Sequence, residues 1–180
     1  ADGARPTAGV PYPLPRAIHN DFPSMVSTAV YSDRDDQVII PDEANAQSFK
    51  KFKEDRGVFF AEPAFFKIFD FPLLAGEYAS LKDLNIALLT KATAEKYFGD
   101  WHLAIGKTIK RNNKQLLKIT GILADIPSNT DMQIRILASY ATLSDFSNRD
   151  DWQSVASNHG CYILLPEGMT AAAMNKQLVA

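Results

Sequence analysis

The chain of 180 residues fits one domain of ordinary size, able to bury roughly 70% of its unfolded surface. Its 46% hydrophobic and 22% charged residues, without a repetitive tract, exclude collagen-like, coiled-coil and wholly disordered classes. With 19 Lys and Arg against 21 Asp and Glu, the net charge of -2 carries no overall footprint for nucleic acid or anionic lipid.

Residues 1–13 are rich in Gly, Ala and Pro and read as a lead-in loop. The start Ala1-Asp2-Gly3, with no initiator Met and no basic or apolar leader, reads as a segment of a longer polypeptide. No apolar run approaches the roughly 20 residues of a membrane-spanning helix. Leu14, Ala17, Ile18 and Phe22 recur at helical spacing until Pro23. Residues 28–31 and 37–40 are β-branched or apolar, and Ser32-Asp33-Arg34-Asp35-Asp36 between them predicts a hairpin. That acidic turn lacks the ligand spacing of a calcium loop. Lys50, Lys51 and Lys53, mixed with Glu54, Asp55 and Arg56, predict a solvated turn ahead of a buried strand at 58–61.

Phe49, Phe52, Phe59, Phe60, Phe65, Phe66 and Phe69 crowd one stretch, which predicts an aromatic cluster holding one element against another. Glu62-Pro63 is expected to open a helix with Pro at its first position, carrying Phe65, Phe66, Ile68 and Phe69 and ended by Pro72. A turn is predicted at 73–76, then a strand at 86–89, with Thr90 as cap of a helix that buries Ala94, Tyr97 and Phe98 and stops at Gly99. Strands at 108–111 and 116–123 flank Asn112-Asn113, a pair that tolerates the positive φ of a tight turn. Further strands are expected at 134–140 and 161–165 around a polar loop at 144–160. Thr170 is placed to cap a last helix with Met174 and Leu178 inward.

No residue of the sequence stands out as catalytic, cofactor-binding or metal-binding. Gly106-Lys107-Thr108 matches the end of a phosphate loop, but Trp101 stands where that motif needs Gly, and a hairpin follows instead of a helix. His19, His102 and His159 are far apart and none has ligand or catalytic spacing. No nucleophile elbow accompanies them. The single cysteine, Cys161, lies in an apolar run and reads as a buried small hydrophobe. Lys107, Lys110, Arg111, Lys114 and Lys118 crowd the 108–123 hairpin without interleaved aromatic residues, the pattern of a solvated face.

Several motifs follow one another along the chain: Pro11-Tyr12-Pro13-Leu14; Glu62-Pro63-Ala64-Phe65-Phe66 running on to Leu73-Leu74-Ala75-Gly76; and Leu88-Leu89-Thr90. Next come Ala94-Glu95-Lys96-Tyr97-Phe98-Gly99, Ile105-Gly106-Lys107-Thr108, Ile119-Thr120-Gly121-Ile122-Leu123 and Tyr162-Ile163-Leu164-Leu165-Pro166. In this order they resemble the extracytoplasmic core domain of MacB-like and FtsX-like ABC transporter permeases. The resemblance spans about residues 10–178. It implies an α+β fold: a mixed α/β subdomain with an inserted small β-rich subdomain at about 83–127, within one extracytoplasmic core domain over 1–180. The family pattern also carries a strand ahead of Pro11, so an unpaired edge is expected there.

The resemblance further implies a non-catalytic domain without cofactors, placed between membrane spans outside the inner membrane. A cytoplasmic ATPase subunit or domain would drive it within a homo- or heterodimer, and a periplasmic adaptor or lipoprotein would be its partner or cargo. The isolated chain is expected to be monomeric. The alternatives are a secreted or periplasmic ligand-binding protein or hydrolase, which needs a pocket of converging polar side chains, and a scaffolding module with an exposed apolar patch.

Overall fold

The computed structural model describes residues 9–42, 48–143 and 149–178, and all structural statements below concern these. The expected lead-in at 1–8 and the part of the polar loop at 144–148 lie outside them. Twelve strands are described: β1 (Val10–Pro11), β2 (Val26–Asp33), β3 (Asp36–Pro41), β4 (Phe49–Glu54), β5 (Val58–Ala61), β6 (Leu73–Gly76), β7 (Ile86–Thr90), β8 (Thr108–Arg111), β9 (Gln115–Leu123), β10 (Ile136–Ser139), β11 (Val155–Ala156) and β12 (His159–Leu164). The α-helices are α1 (Leu14–Asp21), α2 (Phe65–Ile68), α3 (Lys91–Phe98) and α4 (Ala171–Leu178).

Ten strands form one sheet in the order β12-β2-β5-β10-β7-β9-β8-β3-β4, with β6 added beside β9. The β5–β10 and β7–β9 pairs are parallel and the remaining pairs antiparallel. β9 changes partner along its length, pairing with β8 over 115–118 and with β6 over 121–123. Gly121 permits that switch: a Cβ there would lie 2.7 Å from Leu88 Cδ2 and 3.0 Å from the Ala75 carbonyl oxygen.

Alternation along the strands sends side chains to two cores. Ala87, Leu89, Ile136, Ala138, Phe60, Val38, Ile109, Leu117 and Ile119 build one, closed by Ala94 and Tyr97 of α3. Val30, Leu88, Leu137 and Leu123 face the other, covered by Phe65 of α2 and by Leu81 of a 3-10 turn at Tyr78–Lys82. The fold is α+β, as expected. The phenylalanine-rich stretch divides between the two sides. Phe52 meets Tyr97 at 4.7 Å with the rings tilted by 38° in the first core, whereas Phe65 contacts Phe66, Phe69 and Phe71 at 5.3, 4.9 and 5.3 Å in the second. Phe69 meets Tyr162 of β12 edge-on, so the rings do hold α2 against the sheet.

Thr90 caps α3 by accepting from the Thr93 amide, and Gly99 ends it at φ 85°. Thr170 Oγ1 likewise accepts from the Ala173 amide at 3.2 Å at the head of α4. The hairpin turn at Asn112-Asn113 has φ of 47° and 55°, the left-handed pair a tight turn needs.

Other expectations fail. β2 and β3 are not a hairpin: β2 pairs with β12 and β5, β3 with β4 and β8. The lysine-rich 50–54 segment is not a turn but strand β4, because Phe52 and Glu54 point inward while Lys51 and Lys53 point outward. The predicted turn at 73–76 is strand β6. α2 starts after Ala64, leaving Pro63 ahead of the cap, not at the first helical position. The strand expected at 134–140 is confined to Ile136–Ser139, and Tyr140 opens a 3-10 turn. The polar loop contains β11, which pairs with β1. In α4 only Met174 is buried; Leu178 is 44% exposed.

Candidate interaction surface and polar clusters

Glu54 ends β4 pointing inward, fully buried, and organises the first cluster. Its Oε1 accepts from Lys96 Nζ at 2.5 Å and from the Tyr97 hydroxyl at 2.8 Å; its Oε2 accepts from Arg135 at 2.8 Å. Burial alone would raise this carboxyl, but the bonds from Lys96, Tyr97 and Arg135 outweigh it and hold the group below the usual carboxylate range. Burial and the Glu54 acceptor push the Tyr97 phenol far up. Every acceptor is occupied by an element of the fold, so the cluster ties β4 to α3 and to the strand entry at Arg135.

The second cluster closes the region where β2 hands over to β3. Arg111 of β8 reaches Asp33 and Asp36, the latter at 2.7 Å, and its guanidinium lies 5.0 Å from the Phe60 ring centroid. Asn112 Nδ2 also donates to Asp36 at 2.5 Å. Burial raises the Asp36 carboxyl against the pull of Arg111. Arg111, a hairpin cation in the sequence, is therefore an internal strut and not part of a solvated face.

The third cluster lies around Glu62, in a pocket of about 370 Å³ lined by Tyr12, Arg16, His19, Glu62, Lys82 and Tyr140 among others. The Ala29 amide donates to Glu62 Oε2 at 2.8 Å, and His19 Nε2 stands 3.6 Å from the same oxygen. Burial raises the Glu62 carboxyl, opposed by the Ala29 amide and His19. His159 Nε2 is 2.8 Å from the Tyr140 hydroxyl, with the imidazole stacked on both Tyr12 and Tyr140. Burial lowers the basicity of His159. Cys161, nearby, has its thiol pushed up to about 12 by burial and the Glu62 charge, which keeps it from acting as a thiolate at neutral pH.

The structure thus unites His19, Glu62, Tyr140 and His159, which no local spacing in the sequence relates. His102 stands apart and pairs with Asp100 at 2.7 Å. Among the described residues no group of three or more His, Cys, Asp or Glu is arranged to hold a metal ion. Around Gly106-Lys107, the Gly106 amide donates to the Ile119 carbonyl at 2.8 Å and the Lys107 amide to Ala104 at 3.1 Å, so these groups close a turn instead of facing a phosphate.

The outer face of β9, β8, β3 and β4 is the other polar surface. In register across four strands, Lys51 opposes Ile39, Ile39 opposes Lys110, and Lys110 opposes Leu116. Beside that row, Phe49 opposes Pro41 and Thr108 opposes Lys118. Phe49 and Leu116 are 56% and 54% exposed. The hairpin lysines are evident in the sequence but their neighbours Phe49 and Lys51 are not, because β4 reaches them only through β3.

No curated protein matches the chain. Among solved structures, a domain of a permease protein from Porphyromonas gingivalis is similar with a TM-score of 0.74 at 23% identity, covering 99% of this chain and 73% of that one. The periplasmic region of MacB from Actinobacillus actinomycetemcomitans is similar with a TM-score of 0.62 at 14% identity, covering 91% of this chain and 68% of that one. At these identities the likeness is one of fold. The MacB-like periplasmic core domain model matches residues 2–180, and the chain belongs to that family.

Proposed function

We propose that this domain is the extracytoplasmic arm of an ABC transporter permease and passes ATP-driven motion to cargo or partner proteins outside the inner membrane, without catalysing a reaction itself. The observation that carries the reading is the family match over residues 2–180. The polar chemistry supports it. Glu54 and Arg111 join β4, α3, β8 and the β2–β3 junction, as a body that must move as one piece requires. Near Glu62, whose carboxyl is raised, the Cys161 thiol is pushed up to about 12 and is no activated nucleophile. Residues of about 83–127 are read as the inserted β-rich lobe of this arm; of its strands, β8 and β9 form a hairpin that β3 and β4 extend at one side of the sheet, while β7 pairs with β10 in the middle of it. In the full permease two such arms face each other, their spans continue to a cytoplasmic ATPase, and a periplasmic adaptor or lipoprotein of the efflux or export type is the partner.

The test uses the full permease with its ATPase in spheroplasts, with a cysteine at the exposed Leu103. A membrane-impermeant maleimide is expected to label it from outside, at a rate that changes between nucleotide-free and vanadate-trapped states. Labelling only after permeabilisation, or one rate in every nucleotide state, overturns the reading.

A further inference from the structure

We propose that the outer face of β9, β8, β3 and β4 docks an acidic surface of a partner protein; this rests on the reading of the domain as an extracytoplasmic arm. Neighbouring strands lie about 4.8 Å apart, so the row Lys51, Ile39, Lys110, Leu116 presents cation and aliphatic group alternately, with lysines on the order of 10 Å apart. In the adjacent row Lys118 and Phe49 stand at the two ends, with Thr108 and Pro41 between them. Among the described residues, Lys51, Lys110 and Lys118 have no ion-pair partner, and the row itself holds no carboxylate. At one end, Asp35 and Asp55 are engaged by Lys53 at 3.3 and 2.7 Å. On a chain whose net charge is -2, this concentrates unneutralised positive charge on one face.

Lysines on an edge strand ordinarily deter strand addition, and Lys51 on β4 fits that use. Lys110 and Lys118 do not. They lie on β8 and β9, inside the sheet, where no edge needs protection. Nor does the face suit a bilayer: Ile39 and Leu116 lie on either side of Lys110, and the apolar group of Phe49 beside Pro41 is bordered by Lys51, whose ammonium lies 5.7 Å from the Phe49 ring centroid, so cations interrupt the apolar surface. Single apolar groups set among unpaired cations instead complement carboxylates interspersed with apolar side chains on a protein. Beneath the face, Arg111 and Glu54 anchor β8 and β4 from inside, so the array is held before a partner arrives.

The test titrates the isotope-labelled 180-residue chain with a soluble peptide of alternating Glu and Leu, and separately with phosphatidylglycerol vesicles. Amide shifts confined to β3, β4, β8 and β9 are expected with the peptide, with affinity falling as ionic strength rises from about 0.05 to 0.5 M. K51E/K110E is expected to weaken binding about tenfold or more, and K67E/K176E, which makes the same change in net charge elsewhere, to leave it unchanged. K51Q/K110Q, expected to lose affinity in the same direction, serves if the reversal disturbs folding. Absence of peptide binding, shifts outside these strands, equal affinity in the lysine variants, or binding to vesicles alone overturns the proposal. Nucleotide-dependent labelling of Leu103→Cys in the K51E/K110E permease separates the two claims: it persists when only docking fails, and is absent in both backgrounds when the arm reading fails.

Discussion

Replacing Glu54 by Ala removes the acceptor shared by Lys96, Tyr97 and Arg135. The Tyr97 side chain is fully buried and cannot turn to water, so its stranded hydroxyl costs about 1–3 kcal/mol. Lys96 and Arg135 are 43% and 53% exposed and can be rehydrated, so each adds at most about 1 kcal/mol. The expected loss is about 1–5 kcal/mol, read by urea denaturation with Trp101 and Trp152 fluorescence. Tyr97→Phe, which removes only the donor, should cost about 1 kcal/mol. The pH dependence supplies the sign. The native carboxyl is held below its ordinary value of 4.5, so its stabilisation is present above that pH and fades as the pH falls through the lower native value. The difference between wild type and Glu54→Gln should therefore shrink in acid. A loss below about 0.5 kcal/mol for Glu54→Ala, within the range of ordinary surface substitutions, would refute the view of Glu54 as the tie between β4 and α3.

Gly121→Ala should destabilise by about 1–3 kcal/mol, since the new Cβ meets Leu88 Cδ2 at 2.7 Å where β9 changes partner; an unchanged urea midpoint would contradict the close approach. Asn113→Val, at φ 55°, should lower stability by about 1–2 kcal/mol, and equal stability would mean that the turn is not left-handed. Cys161 should react with iodoacetamide at pH 8 far more slowly in the native chain than in urea, because burial pushes the thiol up to about 12; equal rates would show an accessible, ordinary thiol.

The elements legible in the sequence are those closed by neighbours along the chain. Thr90 and Gly99 delimit α3, and Asn112-Asn113 sets the hairpin, because caps and tight turns are satisfied within a few residues. Pairing between distant strands was not legible. Ser32 to Asp36 has hairpin composition, yet Asp33 and Asp36 are held by Arg111 from β8, so the chain turns into a different part of the sheet. β4 was hidden because its alternation sets lysines against only two inward groups, Phe52 and Glu54, and a charged inward residue reads as solvent-facing until its three partners are known. The polar clusters share that origin: Glu62 is held by the Ala29 amide of β2 and His159 by Tyr140 after β10, and the lysine face needs β3 to bring β4 beside the hairpin.

The most direct test of the central claim is distance measurement by paired spin labels in the full permease with its ATPase in nanodiscs. One pair sits within a single arm, at Leu84 and Leu103, and another at Leu103 of both arms; both positions are exposed. The account predicts an unchanged distance within the arm and a shifted distance between arms when ATP is trapped. A changed distance within the arm, or an unchanged one between arms, would contradict it.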